Sequence, residues 1–222
     1  MRYLYRMKKS FLLLLGLVFF KSIYPQVPVY EEPRHRVALK NEYLRLIDVN
    51  ILPHDTTMYH HHNEASVIVF LSRSTTGSQP IGEKPNTGGK VIPGNTAYAD
   101  YVTKPITHRV WNEDTSVYHV MDIEIFPRKN LTVCAPIENR SFKLEREEKN
   151  VRVYNVRIAP GKTAQVAQAC GPYLLILISG AIDLGPGINI EPGEYIWNKG
   201  GFKFKIKNKG TDEAQCVLLE LI

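Results

Sequence analysis

The chain contains the same sentence twice, and that repeat constrains its fold more than any other feature. Residues 44–53 (LRLIDVNILP) and 151–160 (VRVYNVRIAP) share an apolar pattern and end on the same proline, at an offset of 107. The match runs without a gap from Thr56/Thr163 to Ser72/Ser179 and aligns the apolar stretches 67–71 and 174–178. After a longer loop in the first copy, the register resumes at an offset of 96. There Asn112 meets Asn208, and Ile123-Glu124-Ile125 meets Leu219-Glu220-Leu221. Few positions are identical, but a fixed self-similarity of this kind means one structural unit used twice.

Each copy reads as short β segments divided by turn chemistry, such as Pro160-Gly161, Pro192-Gly193 and Lys209-Gly210. No stretch beyond the N-terminal segment sustains a helical period. Many short strands at regular spacing predict an all-β sandwich or barrel in each half. The expected division is a signal segment at 1–26, a first domain at 27–138 and a second at 139–222. The charged run Glu145-Arg146-Glu147-Glu148-Lys149 reads as a solvated link near the boundary, and residues 73–94 as a mobile surface loop.

Met7-Lys8-Lys9-Ser10 followed by the apolar run 11–20 reads as a secretory signal, too short for a membrane span. The expected location is therefore periplasmic or secreted. The formal charge of +6 belongs largely to this leader. Without Arg2, Arg6, Lys8, Lys9 and Lys21, 23 basic residues face 22 acidic ones. That balance removes the main support for nucleic-acid binding. Cys134, Cys170 and Cys216 lie far apart with no C-x-x-C pair, which excludes a cysteine-built zinc site and a fully paired disulfide framework.

The chemistry sits in Tyr59-His60-His61-His62. On a strand, His60 and His62 share a face while His61 points away. Two imidazoles from one strand make half of a metal site. A second segment, His108-Arg109-Val110-Trp111-Asn112, offers the third. At the repeat offsets, His60, His62 and His108 correspond to Ala167, Ala169 and Phe204. All three histidines are replaced together, as expected of residues that serve one ion.

H-x-H, a following strand, a loop and then H-x-x-x-N, on a short all-β unit used twice, resembles the cupin superfamily in its duplicated form. The resemblance covers essentially the whole chain beyond the leader. It implies two tandem jelly-roll barrels, with His60, His62 and His108 binding a divalent transition metal (Zn, Fe, Mn, Ni or Cu). The family's motif places a carboxylate at what are here Ser66 or Val67. Glu64 is the nearest carboxylate, and Pro105 replaces an expected glycine. Dioxygenase and isomerase chemistry both occur among similar cupins.

His35, His54 and His119 each stand alone and read as surface or core residues. Trp111 and Tyr118 read as packing aromatics. Glu124 and Glu220 recur in both copies, which points to a shared structural role. The function expected is an exported metal-binding protein acting on or binding a small molecule. The alternative is a non-catalytic binding or structural module without metal. The second copy is expected to bury surface of the first or to support a homodimer.

Overall fold

The computed structural model describes residues 26–127, 135–166, 171–186, 188–200 and 203–222. The leader, including residues 1–25 of the expected signal, lies outside the described residues, as do Cys134, Ala167, Ala169 and Cys170. Among the described residues the regular structure is all strand except for a 3-10 turn at Val29–Glu31. The first half contains β1 (Gln26–Pro28), β2 (His35–Lys40), β3 (Leu44–Ile51), β4 (Tyr59–His62) and β5 (Ala65–Phe70). It continues with β6 (Ser74–Pro80), β7 (Asn86–Val91), β8 (Thr96–Asp100), β9 (Ile106–Asn112) and β10 (Tyr118–Ile125). The second half contains β11 (Phe142–Glu148), β12 (Val151–Ile158), β13 (Thr163–Val166) and β14 (Tyr173–Ser179). It ends with β15 (Ile182–Asp183), β16 (Tyr195–Asn198), β17 (Phe204–Asn208) and β18 (Ala214–Leu221).

The repeat is visible in the topology. The first half forms sheets of order β2-β3-β10-β5-β8 and β1-β4-β9-β6-β7; the second forms β11-β12-β18-β14-β16 and β13-β17-β15. The two larger sheets correspond strand for strand, and β4-β9-β6 answers β13-β17-β15. No sheet closes into a barrel among the described residues, so each half is a pair of sheets. Buried asparagines clamp the same turn in both. Asn112 Nδ2 donates to the carbonyls of Ile51 (3.0 Å) and Ser116 (2.7 Å). Asn208 Nδ2 donates to those of Ile158 (2.8 Å) and Asp212 (2.7 Å).

The central strands of the larger sheets are buried on both faces, which is why they read as continuous apolar runs rather than alternating ones. One face turns inward: Ile47, Val49, Ile51, Tyr118 and Val120 in the first half; Tyr154, Val156, Leu175, Cys216 and Leu218 in the second. The other faces meet in a single apolar cluster. It joins Leu44, Leu46, Val67, Val69 and Ile123 to Val151, Val153, Leu174, Ile176 and Leu219. The halves thus pack sheet against sheet, and Tyr195 Oη adds a hydrogen bond to the Ala38 carbonyl at 2.9 Å.

Two sequence expectations are corrected. The stretch 73–94 is not a loop but mainly the hairpin β6–β7, laid along β9. Its Ser, Thr and Gly content reflects a solvated edge, since β7 is almost wholly exposed. The charged run 145–149 is no linker either. Most of it belongs to β11, paired with β12 at the sheet edge, where charge blunts further pairing. Glu124 and Glu220 do share a structural role. Each is buried and sits across from an equivalent arginine: Arg45 Nη1 lies 2.7 Å from Glu124, and Arg152 Nη1 3.5 Å from Glu220.

Candidate metal centre

β4 and β9 run antiparallel with His60 opposite His108 and His62 opposite Ile106. Alternation puts His60 and His62 on the inner face, where His108 joins them from across the ladder. A bulge sets this register. From the Thr56–Trp111 bridge to the His60–His108 pair, β4 advances four residues while β9 retreats three. In the second half the matching stretch runs evenly, from Thr163–Lys207 to Val166–Phe204. The residue opposite Phe204 is therefore Val166, which corrects the simple 107 offset to Ala167. The conclusion stands: an imidazole pair in one half is a hydrocarbon pair in the other.

His60, His62 and His108 form a compact group whose candidate ligand atoms all lie within 4.8 Å of one another. His60 and His62 are buried, and the three ring centroids are 4.7–5.0 Å apart. His60 Nδ1 lies 2.9 Å from the Met58 carbonyl, which can only accept, so Nδ1 carries the proton and Nε2 keeps its lone pair. His62 and His108 approach through their Nε2 atoms at 3.1 Å. Burial, with the crowding of neighbouring imidazoles, holds His60 down to about 3 and His108 down to about 4. The same causes push His62 lower still. Three neutral imidazoles converging by their nitrogens are the donor set that a divalent transition ion takes. The residues fit such an ion.

Three residues around this group were not legible as site residues. His35 does not stand alone. It opens β2 opposite Val49, and its ring centroid is 4.7 Å from that of His60. Its Nδ1 is 2.6 Å from a carboxylate oxygen of Glu32. Buried Glu32 also accepts from the Arg34 and Met58 amides and the Arg34 guanidinium. Although burial opposes it, this bonding brings Glu32 down to about 2. The third is Asp122, inward on β10, with Oδ2 3.5 Å from His62 Nδ1. Burial, followed by the charge of Glu124, pushes Asp122 up to about 7 against the pull of the Ser66 hydroxyl. One sequence signal was available: at the offset of 96, Asp122 corresponds to Leu218.

The remaining expectations separate cleanly. Glu64 and Ser66 are not members of the histidine group, and Val67 faces the other half. His119 pairs with Asp48 at 2.7 Å, and His54 occupies a left-handed turn position at φ 58°. Trp111 packs over Gly77 and donates to Glu113, whereas Tyr118 lines the site. Cys216 is buried in the second core and held up to about 12 by that burial.

The four histidines and Asp122 line a cavity of about 160 Å³ between the two sheets of the first half. Its other walls include Val49, Ile51, Ile68, Phe70 and Tyr101. A larger depression of about 720 Å³ opens on the second half beside Phe204 and Lys205. It contains no histidine, and Asp183 is its one carboxylate among the described residues.

No protein-family model matches the chain, and no curated protein matches it in sequence. Solved structures do share its fold. AerE from Microcystis aeruginosa matches with a TM-score of 0.55 at 13% identity, over 86% of this chain and 98% of that one. A variant of oxalate decarboxylase from Bacillus subtilis matches at 0.56 and 11%, over 81% and 69%. A glyoxylate-induced protein assigned to Pseudomonas aeruginosa matches at 0.58 and 13%, over 84% and 77%. The chain shares the fold of these structures, in two sets of sheets, with the histidine group in one of them.

Proposed function

We propose that the chain is an exported protein that binds one divalent transition metal through His60, His62 and His108. The adjoining cavity would then bind, and act on, a small molecule. The observation that carries this reading is the group of three neutral imidazoles, two of them buried and the third partly so, with ligand atoms within 4.8 Å, opening on a mainly apolar cavity. The Met58 carbonyl accepts from the outer nitrogen of His60, and Asp122 lies 3.5 Å from that of His62, where a partner behind a metal-bound histidine would stand. The ion would supply Lewis acidity or redox chemistry toward a substrate oxygen, water or dioxygen, consistent with dioxygenase- or isomerase-type reactions. Export rests on the basic-then-apolar leader, and N-terminal sequencing of protein recovered from outside the cytoplasm tests it.

Elemental analysis of protein purified without chelator tests the metal, alongside the His60→Ala/His62→Ala variant. About one equivalent in the wild type, lost in the variant, is the expected result. Substoichiometric metal unchanged in the variant favours a second reading, a non-catalytic binding module. That reading draws on the 3.1 Å approach of His62 to His108, which lets the two imidazoles satisfy one another without an ion.

A further inference from the structure

The cavity is unusual in what it withholds. No lysine or arginine among the described residues lines it. Arginines near its lining residues in sequence are engaged elsewhere, and Arg36, beside His35, pairs with Asp48. Arg34 bonds Asp55 and Glu32, Arg45 bonds Glu124, and Arg109 bonds Gln79 while lying over the Tyr59 ring on the outer face. His35 is held by Glu32. Beyond the four histidines, the walls are mainly hydrocarbon from Val49, Ile51, Ile68, Phe70, Val110 and Val120, with the phenols of Tyr101 and Tyr118. The one carboxyl among the described lining residues is Asp122. A second anionic group on a ligand, held away from the histidines, would meet hydrocarbon or that carboxyl, with no cation to repay its lost hydration.

Size narrows the class further. An apolar cavity of about 150 Å³ accommodates a benzene, and this one is about 160 Å³.

We infer that the first half takes a one-headed ligand. It is a ring-sized, otherwise apolar molecule with a single oxygen-based metal-binding group, such as a phenol, an enol or a monocarboxylate, and no second charge. This rests on the metal reading of the three histidines and specifies what that site accepts. The head binds at the histidines, and the body fills the space between the sheet carrying β3, β10 and β5 and the sheet carrying β4 and β9.

Pentanoate and succinate test the class, because they are nearly the same size and differ by one carboxylate. Protein loaded with Zn²⁺, its stoichiometry first read by elemental analysis, is titrated calorimetrically with each and with phenol. Pentanoate is expected to bind about a hundredfold more tightly than succinate. Phenol should compete with pentanoate, and the pentanoate signal should vanish in the His60→Ala/His62→Ala variant. Loaded protein that prefers succinate, or binds none of the three, would overturn the ligand class alone. Failure of the wild type to hold zinc would overturn the metal reading and this inference with it.

Discussion

Glu32 is the anchor on which the entry to the site is built, and its removal has a calculable cost. The carboxylate is buried and accepts from four groups: the Arg34 and Met58 amides, the Arg34 guanidinium and His35. It thereby ties the turn before β2 to the segment leading into β4. Its pKa falls from an ordinary 4.5 to about 2 despite burial, which opposes the shift. A difference of that size is worth about 3 kcal/mol at neutral pH. The Arg34 side chain is 28% exposed, so solvent screening reduces the expectation to about 2–3 kcal/mol. Because the pKa is lower in the folded state, the contribution is complete above about 4.5. It declines as pH falls toward 2, since the unfolded chain takes up the proton first. Urea unfolding of wild type and Glu32→Gln, followed by tryptophan fluorescence, should show a gap of about 2–3 kcal/mol at pH 7. The gap should narrow to about half near pH 3.3. A gap that is absent at pH 7, or unchanged between pH 7 and pH 3.3, would refute the assignment of Glu32 as an ionised structural clamp.

Three further outcomes are expected. Asp122→Asn should weaken metal binding by about 10–100-fold in competition with a chelator, while far-UV circular dichroism stays unchanged; unaltered affinity would make Asp122 a bystander to His62. Arg45→Ala leaves Glu124 buried without its cation and should cost about 3–5 kcal/mol in urea unfolding. The paired change Arg45→Met/Glu124→Met should recover most of that, and a double variant as unstable as the single would count against the ion pair. Asn112→Ala and Asn208→Ala remove equivalent clamps and should each lower stability by about 1–3 kcal/mol; a large effect in one half and none in the other would contradict the equivalence of the two turns.

The repeat made the larger sheets legible. β3 and β12 span the same positions under one offset, and β10 and β18 under the other, because strands buried on both faces tolerate no shift in register. The three histidines were legible from parity and from their joint replacement. Less visible was the bulge between Thr56 and His60, since an extra residue in a strand leaves the matching Thr56 and Thr163 in place. His35 escaped because its strand has no histidine motif and reaches the site only through pairing with Val49 on β3. Asp122 escaped for a different reason. Glu124 is the carboxylate that recurs, whereas the one that marks the site is Asp122, whose counterpart, Leu218, is apolar.

The strands β3, β5 and β10 are a party wall. Ile123, which packs against the second half, lies between Asp122 and Glu124, which face the cavity side. Nothing but one layer of backbone separates the cavity from the neighbour. The second half, though without its own histidine pair, is thus the outer masonry of the first. A first half expressed alone would expose the apolar face of that wall to water, and such a surface promotes association. For transplantation or redesign, the smallest working unit is the semidetached pair.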